Sequence, residues 1–295
     1  MFFLLLFAVP SPTFLGMENY GMKISLTLVL ILFMVLFSGF AAAQNPSDTS
    51  AAVPFSTLFY HIDNHLMGSF TYNNGLNNLF AVALSYGLVK SGTDWEWNKY
   101  ANEKGISTVG YVSVVAGGIA PFVGPLWVYL YGRSHNDRKL QITGLGLGQA
   151  ALLAGIVSST IKGLTGRRPP PHREEERGNT DFSNDFEFGI LNRGAFNGWP
   201  SGHAMNAFAM AMTLIELYPD DNTVKYSSLA CATIVGLGVS TNIHWLSDVV
   251  AGGLIGYSIG KVVGAGYAGF NVEESETQSF ILYPYPGGLG VAYRF

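Results

Sequence analysis

The stretch HWLSDVVAGGLIGYSIGKVVG, residues 244–264, decides the fold. Its glycines recur every four residues, at Gly252, Gly256, Gly260 and Gly264. A spacing of four places them on one stripe of a helix. A stripe without side chains lets a neighbouring helix approach closely, as small residues do where helices pack inside membranes. The run therefore predicts an apolar helix, Trp245–Gly264, that packs tightly against another helix.

Five more apolar stretches precede this helix. They are Leu76–Lys90, Ile106–Gly132, Leu140–Ile161, Ala204–Leu217 and Tyr226–Thr241. A run of about 20 apolar residues is long enough to span a bilayer. The second and third of the five reach that length without a charged residue. The sequence therefore predicts an all-α fold, a six-helix bundle embedded in a membrane.

The composition supports a membrane location. Of the 295 residues only 12% are charged, 48% are hydrophobic, and the mean hydropathy is +0.26. Soluble domains carry about 25% charged residues. The net charge of −4 argues against a nucleic-acid partner, because such a chain has no basic field to displace counterions from phosphates.

Different segments surround the predicted helical core, residues 76–270. Residues 1–43 resemble an export signal, with Lys23, an apolar run and Ala41-Ala42-Ala43 before a cleavage point at Gln44. Met22 is the favoured start within it, and an uncleaved membrane anchor is the alternative. Residues 44–75 form a polar N-terminal segment. Residues 271–295 predict a β-hairpin tail, because Pro-Gly-Gly separates two aromatic-rich runs.

Three polar clusters lie at predicted helix ends. The first, KGLTGRRP at residues 162–169, holds Lys162, Arg167 and Arg168. Three cations within seven residues attract a phosphate dianion, which arginine binds bidentately and lysine binds as a point charge. Taken alone, the cluster also fits a basic segment that flanks a membrane helix.

The second cluster is Pro200-Ser201-Gly202-His203, at the start of the fourth helix. Free N–H groups at a helix N-terminus bind anions, and glycine permits close approach. Ser201 also suits a helix cap. His203 has no such structural reason, because a histidine in the first turn of an apolar helix needs a partner or a chemical role.

The third cluster pairs His244 with Asp248. A spacing of four puts both side chains on one helix face. There the carboxylate accepts the proton of one ring nitrogen, which leaves the other nitrogen available as a nucleophile. The pair alone is weak evidence, but the three clusters together indicate a phosphate-handling site.

These clusters resemble the three motifs of the type-2 phosphatidic acid phosphatase family, which also includes bacterial acid phosphatases and vanadium haloperoxidases. The motifs are Lys-x6-Arg-Pro, Pro-Ser-Gly-His and Ser-Arg-x5-His-x3-Asp, and the resemblance extends over residues 76–264. It implies that His244 forms a phosphohistidine, that Asp248 orients it, and that His203 protonates the leaving oxygen.

For the phosphate oxygens, the resemblance implies binding by Lys162, by Arg168 or Arg167, by Ser201 and by the Gly202 amide. It implies no metal and no other cofactor. The general chemistry of phosphoryl transfer agrees with these roles, because the reaction depends mainly on positioning and on charge stabilisation.

The sequence departs from the family pattern at two places. Five residues, not six, separate Lys162 from Arg168-Pro169. The third motif's arginine is replaced by Gly238, six residues before His244, and Leu237 stands where its serine is expected. Arg167 or Arg193 is available to replace the lost charge.

We therefore expect a metal-independent phosphatase whose substrate and partner is a lipid or isoprenoid phosphate in a membrane. The alternatives are a phosphatase for soluble esters, a degenerate member that binds phosphate or a partner without turnover, and a vanadate-dependent haloperoxidase.

The expected location is the cell-envelope membrane, with the active site facing the periplasm. Arg133, Arg138 and Lys139 lie between the second and third helices, and basic loops stay cytoplasmic. Six full spans after a cleaved signal would place the active site on the opposite side. The short first stretch, Leu76–Lys90, therefore lies in the membrane interface without crossing, or the bundle is peripheral.

Overall fold

A computed structural model describes residues 52–171, 180–194, 197–270, 279–285 and 288–294. The predicted export signal, residues 1–43, lies outside these ranges. The described core is helical, so the predicted all-α class is confirmed.

The chain begins with a 3-10 turn, Phe55–Phe59. The helices that follow are α1 (Ile62–Gly68), α2 (Tyr72–Lys90), α3 (Thr93–Glu103), α4 (Ser107–Ser134), α5 (Arg138–Thr165), α6 (Gly189–Asn192), α7 (Gly202–Leu217), α8 (Asn222–Ser240) and α9 (Leu246–Ala268). Each predicted apolar stretch overlaps one of the longer helices. Strands β1 (Ser279–Tyr285) and β2 (Gly288–Arg294) pair antiparallel, with Ser279 opposite Arg294.

The glycine stripe of α9 packs against the backbone of α7. A Cβ atom at Gly252, Gly256 or Gly260 would collide with a carbonyl oxygen of the facing helix, from Ser201, Met205 and Ala209 respectively. The absence of side chains thus brings the two helix axes close together. Because both helices begin at the same end of the bundle, this contact sets His203 opposite the segment that precedes α9.

The remaining long helices surround this pair. Helix α5 packs against α4 and α7, α8 packs against α4 and α7, and α2 packs against α9. Close approach of α4 and α5 occurs at Gly144, where a Cβ atom would meet the backbone of Tyr129. Buried Leu153, Met205 and Ile259 belong to the central hydrophobic cluster.

The N-terminal segment is fixed to the first half of α5, away from the C-terminal end of that helix and from the start of α7. Val53 donates its backbone N–H to Gln141 near the start of α5, at 2.9 Å. Farther along that helix, Gln149 donates to the carbonyl oxygens of Leu58 and Tyr60 and contacts His65. These contacts satisfy polar groups that would otherwise be buried without partners.

Within the part of the chain that the structure describes, three helical stretches are long and apolar enough to cross a membrane: Gly110–Ser134, Arg138–Thr165 and Leu246–Ala268. In an 18-residue apolar part of the first stretch, only 33% of the residues are buried inside the protein. Its outward side chains include Ile119, Phe122 and Leu130, all more than half exposed. A large exposed apolar surface of this kind is compatible with contact to lipid.

Candidate active site

The three polar clusters meet at one end of the bundle, around a cavity of about 220 Å³. Helix α5 ends beside the start of α7, and the segment before α9 lies against both. The cavity is lined by Lys162, Arg167, Pro169, Asn197, Gly198, His203, Ile243, His244 and Asp248. All three predicted catalytic residues therefore lie in its wall.

His244 and Asp248 contact each other as their spacing predicts. His244 Nδ1 lies 3.4 Å from Asp248 Oδ2, which also accepts the Trp245 backbone N–H at 3.0 Å. Both side chains are almost fully buried. Burial lowers the pKa of His244, and the hydrogen bond with Asp248 opposes that effect. The imidazole is therefore neutral near pH 7, and its Nε2 is the ring nitrogen that Asp248 does not hold.

His203 lies across the cavity from His244, with ring centroids 5.9 Å apart. Its ring fits against two glycines of α4: Cβ atoms would lie 3.0 Å from Cδ2 at Gly117 and 3.6 Å from Nε2 at Gly118. Burial, followed by the nearby His244 and Lys162, lowers the pKa of His203 to about 3. The unliganded site thus holds His203 neutral, and an anion that enters the cavity favours its protonation.

Lys162 reaches the start of α7 from the last turn of α5. Its Nζ atom lies 3.6 Å from the position that a Cβ atom would occupy on Gly202. Ser201 is fully buried and caps α7: its Oγ accepts the Ala204 N–H at 3.3 Å. Its own N–H donates to the Asp248 carbonyl oxygen at 2.9 Å. Ser201 thus joins the two segments that carry His203 and His244.

Arg167 is buried between two carboxylates. Its guanidinium pairs with Asp94 at 2.7 Å and with Asp248, and its exposed fraction is 0%. Nε donates to the Ser183 carbonyl oxygen at 2.7 Å, and Nη1 also donates to Ser247 Oγ at 2.7 Å. Although the side chain forms part of the cavity wall, each of its nitrogens donates to a protein oxygen.

The other two arginines that the sequence suggested for phosphate binding, Arg168 and Arg193, lie away from the cavity. Arg168 is exposed and stacks on the ring of Phe182, with 3.9 Å from the guanidinium carbon to the ring centroid. Arg193 pairs with Asp185 at 3.0 Å and with Glu187, and it donates to the Gly166 carbonyl oxygen. It therefore holds the loop before α7 and does not supply a charge to the described cavity.

The place of the missing third-motif arginine is occupied by helix α4. A Cβ atom at Gly238 would collide with the side chain of Ser113. Ser113 is buried and donates to the Ile234 carbonyl oxygen of α8 at 3.2 Å. Close packing of α4 and α8 therefore leaves no room for a side chain at position 238.

Sequence reasoning missed two residues behind the site, Asp94 and Ser247. Asp94 Oδ1 accepts the Ser247 N–H at 2.8 Å, and Oδ2 accepts the Ser247 hydroxyl at 2.5 Å. Asp94 lies in the first turn of α3, where an acidic residue is common for its effect on the helix dipole. Because the helix dipole is enough to explain an acidic residue there, nothing in the sequence pointed to its contact with a segment more than 150 residues away.

Comparison with models of protein families finds a match over part of the chain. Residues 143–268 match the family model described as the PAP2 superfamily. This range runs from α5 to the end of α9 and contains every predicted site residue. No curated protein and no solved structure matches the chain.

Proposed function

We propose that this chain, whose residues 143–268 belong to the PAP2 superfamily, is a metal-independent phosphatase that acts on a lipid or isoprenoid phosphate through a phosphohistidine. Members of the superfamily are in general phosphatases. The observation that carries the proposal is the pair of facing histidines, His244 with Asp248 behind it and His203 5.9 Å away, in a cavity that Lys162 also lines.

The proposed reaction has two steps. His244 Nε2 attacks phosphorus while its Nδ1–H donates to Asp248, and the bond from phosphorus to the leaving oxygen breaks. His203, protonated in the substrate complex, gives its proton to that oxygen. It then takes a proton from a water molecule that attacks the phosphohistidine, and inorganic phosphate is released with His244 regenerated.

The shape of the protein beneath this cavity supports a lipid substrate. An apolar groove of about 640 Å³ runs between α4 and α5. It is lined along α5 from Gly144 to Ser159 and reaches Asn206, three residues beyond His203. Fifteen residues of helix correspond to about 22 Å, longer than the roughly 15 Å of hydrocarbon in one leaflet. A hydrocarbon chain in this groove would leave its phosphate near the cavity.

The charge distribution along α5 supports an active site that faces the periplasm in the cell-envelope membrane. Arg138 and Lys139 begin this helix and Arg133 precedes it, whereas Lys162 and the cavity lie at its other end. Twenty-eight residues of helix separate the two ends by about 42 Å. Basic flanking residues favour the cytoplasmic side, so the active-site end is expected on the other side.

Phosphate release from a substrate panel tests the proposal. Purified protein in detergent would receive phosphatidic acid, a prenyl phosphate and p-nitrophenyl phosphate, each with and without EDTA. We expect EDTA-resistant release from a lipid phosphate, at a rate per enzyme well above that from the soluble ester. Preference for the soluble ester would instead support a soluble-ester phosphatase.

The loss of the third-motif arginine favours a second candidate, a phosphate-binding relative without turnover. Gly238 and Ser113 leave no space for that charge. This candidate predicts no release from any panel member and no labelled phosphohistidine, although the protein is folded and binds phosphate.

The groove gives a sharper prediction through Gly155→Leu. A Cβ atom at Gly155 has no neighbour within 4 Å and Gly155 lines the groove, so we expect a leucine side chain at this position to extend into the groove. Excluding two or three methylenes at about 0.8 kcal/mol each is expected to raise KM for a long-chain lipid phosphate about 10-fold or more. The KM for a short-chain analogue should change by less than about 2-fold.

Gly87→Leu is the matched control, because Gly87 is also helical and has no neighbour within 4 Å but lies on α2, away from the groove. Steady-state kinetics with both chain lengths would separate the effects. If Gly155→Leu has the same KM as wild type for the long-chain substrate as well as for the short-chain substrate, the assignment of the groove is contradicted.

A further inference from the structure

Asp94 lies outside the region matched by the family, and it is fully buried behind the active site. It accepts three hydrogen bonds: two from Ser247 and one from Arg167. The bond to the Ser247 backbone N–H holds the first turn of α9, the same turn that carries Asp248. Asp94 is therefore in contact with Ser247, the residue before Asp248 in the chain, and with Arg167, the charge partner of Asp248.

The four groups form one continuous chain of contacts: Asp94, Arg167, Asp248 and His244. The chain is almost fully buried, with exposed fractions of 0% for Asp94 and Arg167, 2% for Asp248 and 5% for His244, and the rings of Phe186 and Trp245 lie 5.0 and 5.5 Å from the Arg167 guanidinium carbon. In such an environment charged hydrogen bonds are strong, and removing one partner leaves the other uncompensated.

We propose that Asp94 and Arg167 are positioning residues that hold the Asp248 carboxylate against His244 Nδ1. Arg167 has two donor groups directed at two carboxylates, so Asp94 determines how it is oriented and how much of its charge Asp248 must balance. The inference rests on the proposed phosphatase function, because it assigns Arg167 to the histidine rather than to the substrate phosphate.

The charges explain why the two carboxylates are needed together. With Asp94 ionised, one guanidinium is shared between two negative groups, and Asp248 retains negative charge directed at His244. When a neutral side chain replaces Asp94, Asp248 is the one carboxylate that remains paired with the Arg167 guanidinium. Asp248 then binds Arg167 more strongly and His244 less strongly, so the nucleophile is less firmly oriented and less basic.

Asp94→Asn is the primary test, because asparagine keeps the size of the side chain, removes its charge and replaces one of its two acceptor oxygens with a donor. We expect kcat to fall about 10- to 100-fold, as a slight misplacement of a reacting group does elsewhere. KM should stay within about 2-fold, because Asp94 does not reach the cavity. Asp185→Asn is the matched control: Asp185 forms a partly exposed ion pair with Arg193 in the loop before α7.

The pH profile distinguishes a positioning role from a merely structural one. His244 faces Asp248 on α9, His203 on α7, Lys162 on α5 and Arg167 in the following loop. In Asp94→Asn the Arg167 charge draws Asp248 away, so the pKa of His244 is expected to fall. The acidic limb of kcat/KM should move to lower pH, whereas Asp185→Asn should leave it unchanged.

A second readout does not depend on activity. Side-chain NMR of protein labelled in its six histidines would follow the His244 ring during a pH titration, with the signal assigned by its loss in His244→Gln. A displaced His244 titration in Asp94→Asn supports the proposal even if no panel substrate is hydrolysed. Ser247→Ala, which removes only the hydroxyl between Asp94 and Arg167, should give a smaller displacement in the same direction.

The outcomes separate the two proposals. If wild type is inactive but its His244 titration responds to Asp94→Asn, the phosphatase assignment fails and the positioning chain stands. If wild type is active and Asp94→Asn leaves both kcat and the titration unchanged, the chain does not position His244. A large increase in KM with unchanged kcat would overturn the proposal too, because it would assign Arg167 to substrate binding.

Discussion

Replacing His244 with alanine is expected to lower phosphate release by at least about 10⁴-fold, because the reaction then lacks its nucleophile. His244 lines the cavity, its Nδ1 is held by Asp248, and its ring faces His203. No other described side chain combines these three features. The fold should survive, since the ring is lost from the wall of a cavity and not from the hydrophobic cluster that joins α7 and α9.

Two measurements check this expectation. Steady-state release gives the loss of rate, and reactions with ³²P-labelled lipid phosphate quenched in alkaline detergent give the covalent intermediate. Label should be trapped on wild type as an acid-labile, base-stable adduct and should be absent from His244→Ala. His135→Ala is the control, because His135 is exposed at the C-terminus of α4 and stacks on Tyr131. Labelling of His244→Ala at the wild-type level would place the nucleophile elsewhere.

Much of the fold could be predicted because hydrophobic periodicity is a local signal. The stripe from Gly252 to Gly264 predicted that a helix approaches closely at this face, and the backbone of α7 lies there. The identity of that neighbour could not be read from the sequence, since a bare stripe accepts any partner. The packing is specific because the α7 carbonyl oxygens face the same glycines, a relation that exists only after folding.

The site was predictable where its chemistry is local. His244 and Asp248 are four residues apart, so one turn of backbone brings them together. The role of Arg167 was not predictable in this way, because its partner Asp94 is 73 residues distant. Three cations within seven residues indicate attraction for phosphate, but a buried carboxylate outside the motif withdraws one of them. Only the tertiary structure reveals that competition.

The missing arginine illustrates the same limit. The sequence shows Gly238 where the family motif has arginine, but it does not show which side chain fills the space beside that glycine. Ser113 belongs to α4, more than 100 residues earlier, and its side chain fills the space where a Cβ atom would lie. An arginine at position 238 would therefore need a change at position 113 as well. Under the proposed function, the cavity would have to stabilise a phosphate with fewer cations than the family pattern provides.

In the proposed reaction Lys162 would then carry a larger share of phosphate binding. Lys162→Met is therefore expected to lower kcat/KM about 10²- to 10³-fold, the usual effect of removing one group that stabilises transition-state charge. Methionine keeps much of the side-chain length and removes the charge. Lys162 lines the cavity beside Gly202, whereas the charge of Arg167 is balanced by Asp94 and Asp248.

Arg168→Gln is the informative companion to this variant, because the family motif assigns phosphate binding to the arginine before proline. The structure directs Arg168 onto Phe182, outside the cavity. We therefore expect Arg168→Gln to change kcat/KM by less than about 3-fold. Kinetics of the two variants on the same lipid phosphate, with thermal unfolding to verify the fold, decide between them. A loss of kcat/KM in Arg168→Gln as large as that in Lys162→Met would contradict this expectation. It would mean that the loop after α5 turns inward when phosphate binds. The arginine of the family motif would then reach the substrate despite the short spacing from Lys162 to Arg168.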